Sequence, residues 1–137
     1  MTSRFTEVIV DSADPAKLAA FWCAVLDYHV VDDTSPWVEI APWRSEADKP
    51  PVQAVLERPS LPTLIFVPVP DGKKAKNRMH LDLLPADRSH AEEVERVLAL
   101  GAKRIDVGQG DEHRWAVMAD PEGNEFCIGQ LKPPAAD

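Results

Sequence analysis

The sequence predicts an α+β fold built from two copies of one unit, in which a strand and a helix are followed by several more strands. Three observations support this prediction. A strand pattern followed by a helix pattern occurs twice, within residues 5–26 and 79–101. The two stretches align without a gap, and later strand patterns repeat in the same order. The 137 residues suit a single domain over 1–137.

The first copy begins with residues 5–11, where β-branched side chains favour a strand. Val8 and Val10 face one side of this strand, and Glu7 faces the other. Asp14-Pro15 then has the features of a helix start, because Asp is a good N-cap and Pro fits the first helical position. The predicted helix has one apolar stripe, formed by Leu18, Phe21, Trp22, Val25 and Leu26.

The second copy repeats this arrangement. Leu81 and Leu83 face one side of its strand, and His80 and Asp82 face the other. Asp87 is predicted as the N-cap of the following helix. The residues that support this helix further are a capping-box pattern at Ser89-x-x-Glu92, an apolar stripe at Ala91, Val94, Val97 and Leu98, and a stop at Gly101.

The two copies align at a constant offset of 73 residues, which places Glu7 on His80 and Asp14 on Asp87. Later segments match with small changes of offset. These segments are Trp37–Ala41 with Trp115–Ala119, and Leu64–Val67 with Asn124–Cys127.

The connecting segments define two modules, at about 4–70 and 76–131, and a Pro- and Ala-rich tail at 132–137. Five prolines interrupt residues 42–62, which we interpret as an irregular excursion within the first module. A short edge strand is expected there near Val52–Leu56.

Charge and composition exclude several classes of protein. The chain has 15 basic and 23 acidic residues, a formal net charge of -8, which argues against binding to nucleic acid or to an anionic membrane. No apolar stretch approaches the roughly 18–20 residues of a membrane helix. Residues 1–7 lack the apolar core of a signal peptide, and Cys23 and Cys127 form no CxxC pair, so we expect a cytoplasmic protein with reduced thiols.

With these elements in place, the chain resembles the glyoxalase / bleomycin-resistance / dioxygenase (vicinal-oxygen-chelate) superfamily over about residues 4–131, and in particular its bacterial glyoxalase-like domain branch. The segments that carry the resemblance are Asp14-Pro15 with the Phe21-Trp22 helix, Asn77–Asp82 and Asp120–Cys127. The resemblance implies two βαβββ modules whose curved, mostly antiparallel sheet surrounds a cleft, and it implies a homodimer.

Metalloenzymes of this superfamily place one ligand on the first strand and one on the last strand of each module. The corresponding positions here are Glu7, Val67, His80 and Cys127. Val67 has no donor atom, and Cys127 stands where a carboxylate is usual. The resemblance therefore predicts no intact metal site. A divalent ion, if bound, would be nickel, zinc, iron or manganese at Glu7, His80 and Cys127, with Glu125 as an alternative ligand.

The resemblance also implies that Glu7, His80, Asp82 and Glu125 face the cleft. His80 is then either a ligand or general base paired with Glu7, or a histidine bonded to Glu7 or Asp82 without chemistry. Asp82 and Glu125 either bind polar groups of a ligand or form a salt bridge, for example with Arg78. We expect the salt bridge for this pair.

The other candidates are aromatic or sulfur-containing. Trp37, Trp43 and Trp115 lie on or beside strands, where they either line a cleft for an apolar ligand or pack against the sheet. Trp43, within the excursion, is the best candidate for a lid residue. Cys127 near His80 suggests a thiolate nucleophile, but no local signature of a cysteine enzyme accompanies it, and buried packing is the expected role.

Two functions remain open from the sequence. The first is a binding module that holds a small, partly aromatic ligand in the cleft without an intact metal site. The second is a glyoxalase-type lyase or isomerase, or a dioxygenase-like enzyme, that uses a divalent metal or Glu7 and His80 as an acid–base pair.

Overall fold

The computed structural model describes residues 2–108 and 115–130. The chain divides into two compact units, Met1–Gly72 and Lys73–Asp137. The predicted tail at 132–137 lies outside the described residues, as does a small part of the second module. Among the residues that the structure describes, no helix is both long and apolar enough to cross a bilayer.

The first unit contains one four-stranded sheet. Its elements are β1 (Glu7–Ser12), α1 (Pro15–Leu26), β2 (His29–Asp32), β3 (Val38–Ala41), a short 3-10 turn (Glu46–Asp48), α2 (Val52–Glu57) and β4 (Thr63–Pro68). The strand order is β1-β4-β3-β2. β1 and β4 run parallel, whereas the β3–β4 and β2–β3 pairs are antiparallel.

The second unit has the same plan without the excursion. Its elements are β5 (Leu81–Leu83), α3 (His90–Ala99), β6 (Lys103–Arg104), β7 (Ala116–Ala119) and β8 (Glu125–Ile128). The strand order is β5-β8-β7-β6, again with a parallel pair between the first and last strands. The predicted fold class of two βαβββ modules is therefore confirmed. The cleft between them stays a prediction.

Helix α1 forms as its start signal predicts. The Asp14 side chain accepts a hydrogen bond from the Lys17 backbone N–H at 3.2 Å, and Pro15 occupies the first turn. The helix ends at Asp27, whose φ of 55° is left-handed. Its buried side chains are Leu18, Ala19, Phe21 and Trp22, and the two aromatic rings meet edge to face. The predicted stripe therefore packs on the sheet.

Helix α3 begins two residues later than the predicted N-cap Asp87 implies. Ser89 is the N-cap: its hydroxyl accepts from the Glu92 N–H at 3.2 Å, and the Glu92 carboxylate accepts from the Ser89 N–H at 2.8 Å. Asp87 instead pairs with Arg88. The prediction of Asp87 as the cap is wrong because the box satisfies two free N–H groups at once, and Asp87 lies two residues before it.

The predicted edge strand near Val52–Leu56 is also wrong, because these residues form α2. Pro51 precedes the helix, and its carbonyl accepts the first helical N–H bonds. The Arg4 guanidinium donates to the carbonyls of Leu56 and Glu57 at 2.9 and 3.2 Å, which satisfies the end of the helix. This stabilisation comes from far along the chain, and local patterns do not reveal it.

The strand registers correct one of the predicted matches between the two copies. Val8 lies opposite Leu64 in the first unit, and Leu81 lies opposite Phe126 in the second. Because Val8 matches Leu81, Leu64 must match Phe126. The predicted match of Leu64–Val67 with Asn124–Cys127 is therefore wrong by two residues.

The antiparallel pairs give the same result. Ile40 lies opposite Leu64, and Met118 lies opposite Phe126. This agrees with the predicted match of the two segments that begin at Trp37 and Trp115. A slip of two residues keeps every side chain on its own face of a strand, which is why the sequence pattern conceals it.

The core of each unit lies between its sheet and its helix. Phe66 and Ile40 are fully buried in the first unit, as are Phe126, Met118 and Ile128 in the second. Helix α1 packs on β3 and β4, and α3 packs on β8. Since side chains alternate along a strand, the residues between these apolar ones face the opposite side of each sheet.

Candidate functional site

Three predicted site residues meet on the face of the second sheet opposite α3. Asp82 of β5 lies directly opposite Cys127 of β8, and His80 lies two residues before Asp82 on the same face. One potential ligand atom from each of the three lies within 4.8 Å of the others. We call these residues, His80, Asp82 and Cys127, the polar trio.

Within the polar trio, His80 Nε2 lies 3.1 Å from Asp82 Oδ1. The imidazole is 41% exposed and the carboxylate 78% exposed, so both are accessible to a ligand. Of the two partners that the sequence left open for His80, Asp82 is in bonding distance. Glu7 is an exposed residue at the start of β1 in the first unit.

The third member of the trio, Cys127, is buried. Burial raises the pKa of its thiol, and the negative charge and hydrogen bond of Asp82 raise it further, against a smaller opposing effect of Lys76. The thiol is therefore protonated at neutral pH. Since the thiolate is the reactive form, this favours the packing role over the nucleophile.

Glu125, which was a candidate for ligand or metal binding, is already occupied. Its side chain is only 8% exposed, and Lys73 Nζ lies 2.7 Å from its Oε1. The Asn77 backbone N–H donates to Oε2 at 3.1 Å. Burial opposes ionisation, but these hydrogen bonds outweigh it and lower the pKa of the carboxyl. The salt bridge expected for Glu125 is present, with Lys73 rather than Arg78.

The turn between β7 and β8 extends this support. Asp120 Oδ1 accepts hydrogen bonds from the backbone N–H groups of Glu122 and Asn124, both at 2.9 Å. Gly123 has a φ of 86°, which only glycine adopts readily. The Asn77 amide donates to Asn124 Oδ1 at 2.9 Å. The turn and Glu125 together fix the segment that leads into His80.

These supporting residues were missed as functional candidates. Asn77 and Asp120 enter the sequence analysis only as the first residues of two segments that carry the family resemblance, and Lys73 does not enter it. The Asp120-Pro121 pair, whose residue types are common in turns, lies at the turn itself. Nothing in the local pattern indicated that the 73–77 segment returns to the last strand.

The tryptophans lie at matching places. Trp37 comes just before β3 and Trp115 just before β7, and they are 43% and 42% exposed. Trp43 is half-buried in the excursion between β3 and the 3-10 turn. The exposed rings are accessible to an apolar ligand. A role for the three in lining a cleft stays a prediction.

The first unit has different residues at the positions that match the polar trio and Glu125. Glu7 lies opposite Thr63, whose buried hydroxyl has no hydrogen-bond partner among residues 2–108 and 115–130. By the register, Thr63 corresponds to Glu125, Ile9 to Asp82, and Ile65 to Cys127. At the positions of the polar trio the first unit therefore has Glu7, Ile9 and Ile65, and of these only Glu7 offers a donor atom.

A family model described as a glyoxalase-like domain matches residues 7–129, nearly the whole chain. The chain belongs to the glyoxalase-like domain family. No curated protein sequence matches it. The expected superfamily membership is thus confirmed.

Solved structures show the same fold at low identity. A glyoxalase/bleomycin resistance/dioxygenase family enzyme from Burkholderia phytofirmans is 16% identical, with a TM-score of 0.64 over 95% of this chain and 100% of that one. FosX from Listeria monocytogenes, complexed with Mn(II) and sulfate, is 13% identical, with a TM-score of 0.66 over 96% and 95%. Oxidase ChaP-H2 is 15% identical, with a TM-score of 0.61 over the full length of both.

The metal ligands that the superfamily uses do not fit this glyoxalase-like domain. The last strand of the first unit offers Val67 by the sequence match, or Ile65 by the observed register, and neither side chain has a donor atom. Cys127 stands in place of a carboxylate. Glu125, the alternative ligand, is held by Lys73. The residues present therefore leave at least one of the four ligand positions without a donor atom.

Proposed function

We propose that this glyoxalase-like domain binds a small, partly aromatic ligand on the sheet face that carries His80 and Asp82, without the four-ligand metal centre of its superfamily. The observation that supports this proposal is the exposed pair of His80 and Asp82, 3.1 Å apart, at the start of β5 and after the segment that Glu125 and Asn124 hold through Asn77. An imidazole and a carboxylate together provide a hydrogen-bond donor and acceptor of fixed orientation.

The surroundings of the pair support binding of a flat or apolar group. Val117 lies opposite Cys127 in the sheet, and both are buried. Trp115 lies two residues before Val117, so the alternation of side chains favours the same face for its exposed indole. Small-molecule sites commonly combine such apolar and aromatic side chains with a few polar groups.

A second candidate is a lyase, isomerase or dioxygenase-like enzyme. It is supported by the oriented imidazole of His80, since a histidine beside a carboxylate is a common general base. The Mn(II) complex of FosX supports metal chemistry in a protein of similar fold. Glu7 remains the predicted partner of His80 in an acid–base pair.

The test is a ligand screen on chelator-treated protein, with thermal shift as the first measurement and native mass spectrometry as the second. A library of small aromatic acids, amides and phenols should give a one-to-one complex. Asp82→Asn should weaken that complex at least roughly tenfold, because it replaces the charged carboxylate acceptor with a neutral amide. Asp33→Asn, at an exposed site in the first unit, is the matched control and should have no effect.

The two candidates give different results in this experiment. A complex that is released chemically unchanged supports the binding module. Conversion of the bound compound, detected by mass spectrometry and lost in His80→Ala, supports the enzyme. Equal binding by Asp82→Asn and the parent chain would place the ligand elsewhere and overturn the proposal.

We also propose that the chain is a homodimer. The first unit exposes several large apolar side chains, namely Phe5, Ile9, Val52, Leu56 and Leu61. Light scattering coupled to size-exclusion chromatography should give twice the mass of 15.1 kDa. A monomeric mass at micromolar concentration would contradict this proposal.

A further inference from the structure

The polar trio combines three kinds of donor atom in one unit of the fold. His80 offers an imidazole nitrogen, Asp82 a carboxylate oxygen and Cys127 a sulfur, all within 4.8 Å of one another. Nitrogen, oxygen and sulfur donors together suit zinc, whereas magnesium, calcium and manganese prefer oxygen alone. We propose that the polar trio is a zinc site contained entirely within the second unit.

The distances in the trio agree with this assignment. Zinc bonds of about 2.0–2.3 Å in a tetrahedron place neighbouring ligand atoms roughly 3.3–3.7 Å apart. The 3.1 Å between His80 Nε2 and Asp82 Oδ1 is already close to that value. The remaining separations are at most 4.8 Å, so tetrahedral coordination requires them to shorten by rotation of these side chains.

The site is also open on one side. Both His80 and Asp82 are exposed, so an ion enters without movement of the backbone. Cys127 is buried beneath them and supplies the ligand on the protein side. Three protein ligands leave a fourth zinc position for water or another small molecule, an arrangement that many zinc proteins use.

This site differs from the predicted set of Glu7, His80 and Cys127 in one residue. Asp82 takes the place of Glu7, so no residue of the first unit is needed. The matching positions of the first unit, Ile9 and Ile65, offer no donors. The inference goes beyond the proposed function, because zinc binding requires no organic ligand.

The experiment uses the full chain, freed of metal with a chelator and titrated with zinc alone against a chromophoric competitor. We expect one zinc ion per chain. Cobalt should substitute for it and give the charge-transfer absorption of a cobalt–thiolate bond. Cys127→Ser should abolish that absorption, which identifies the sulfur ligand by a readout independent of any activity.

Three variants locate the site. Asp82→Asn and His80→Ala should each weaken zinc binding at least roughly tenfold, as expected for loss of a ligand. Both positions are exposed, so these changes should leave the fold intact, and circular dichroism of the variants checks this. Asp33→Asn is the control and should bind zinc as the parent chain does, and Glu7→Gln distinguishes this site from the predicted set that includes Glu7. Equal zinc affinity of Asp82→Asn and the parent, or a loss in Glu7→Gln, would overturn the inference.

Failure of this inference is separable from failure of the proposed function. If metal-free protein binds an organic compound but takes up no zinc, the zinc site is wrong and the binding module stands. If zinc binds through the trio and the ligand screen finds nothing, the zinc site stands and the binding proposal fails.

Discussion

The two units share a strand order and a register but differ on one face of the sheet. On the helix side, apolar residues fill matching positions, such as Phe66 and Ile128. On the other side, the first unit has Ile9 and Ile65 where the second has Asp82 and Cys127. Because both units keep apolar, buried residues on the helix side, the core that stabilises each unit lies on that side. The described residues place the polar trio in the second unit, so the chemistry of this face differs between the two units.

The largest effect on stability is expected at the buried polar position that is Glu125 in the second unit and Thr63 in the first. Glu125→Gln removes the charge that pairs with Lys73, and should lower the free energy of unfolding by about 1–3 kcal/mol. Thr63→Val is the matched change. It replaces a buried hydroxyl that has no partner among the described residues, so stability should stay the same or rise by up to about 1 kcal/mol.

Urea unfolding of both variants measures this difference. A larger loss of unfolding free energy in Thr63→Val than in Glu125→Gln would contradict the inference that Glu125 contributes more to stability than Thr63.

The pH dependence of stability tests the contribution of Glu125 separately. The pKa of Glu125 is lowered in the folded chain, so its contribution is complete above the unfolded value of 4.5 and is lost as the pH falls through the lower folded value. Stability should therefore decline below about pH 4.5. Other carboxyls with lowered pKa values, such as Asp87 and Glu92, add to this decline.

Unfolding curves of the parent chain and Glu125→Gln between pH 7 and pH 3 isolate the Glu125 part. The two curves should converge as the pH falls. A constant separation across this range would exclude ionisation of Glu125 as the cause.

Loss of a helix cap should lower stability by a smaller amount, and this amount should be similar in the two units. Asp14→Ala and Ser89→Ala should each cost about 1 kcal/mol, because each removes the acceptor for a free N–H group. Asp87→Ala should cost less than either cap substitution, because its contact with Arg88 is exposed. Thermal unfolding distinguishes the caps. A larger cost for Asp87→Ala than for Ser89→Ala would restore Asp87 as the cap.

The smallest expected effect concerns the chemical reactivity of the two cysteines. Burial raises the pKa of both Cys23 and Cys127, and Asp82 adds to the rise at Cys127. Alkylation by iodoacetamide at pH 7 should therefore be slow at both, slower at Cys127, and should accelerate as the pH rises toward 9 and above. Peptide mass mapping follows the two sites. Zinc should protect Cys127 and leave Cys23 unchanged, and protection of Cys23 would contradict the zinc site.

Much of the fold was predictable because alternation and helical stripes are local signals. The register of β4 was not, since a two-residue slip leaves the pattern intact. α2 was mistaken for a strand because its end is satisfied by Arg4, some fifty residues earlier. Long-range partners of this kind leave no trace in a short window of sequence.

The candidate site was predictable to a similar extent. Alternation correctly put His80 and Asp82 on one face, opposite Leu81 and Leu83. The partner of Glu125 was not predictable, because it depends on the path of the 73–77 segment back to β8. The spatial relation of Glu7 to His80 stays a prediction, as it depends on the arrangement of two separate units.

The parallel pairing of first and last strands has a consequence for synthesis on the ribosome. In each unit the opening strand finds its neighbour only when the closing strand has emerged, since Val8 pairs with Leu64 and Leu81 with Phe126. The nascent N-terminal half must wait for β4, but among the described residues its sheet contains no strand from the later half. We therefore expect the chain to fold vectorially in two stages, each completed by the arrival of its final strand.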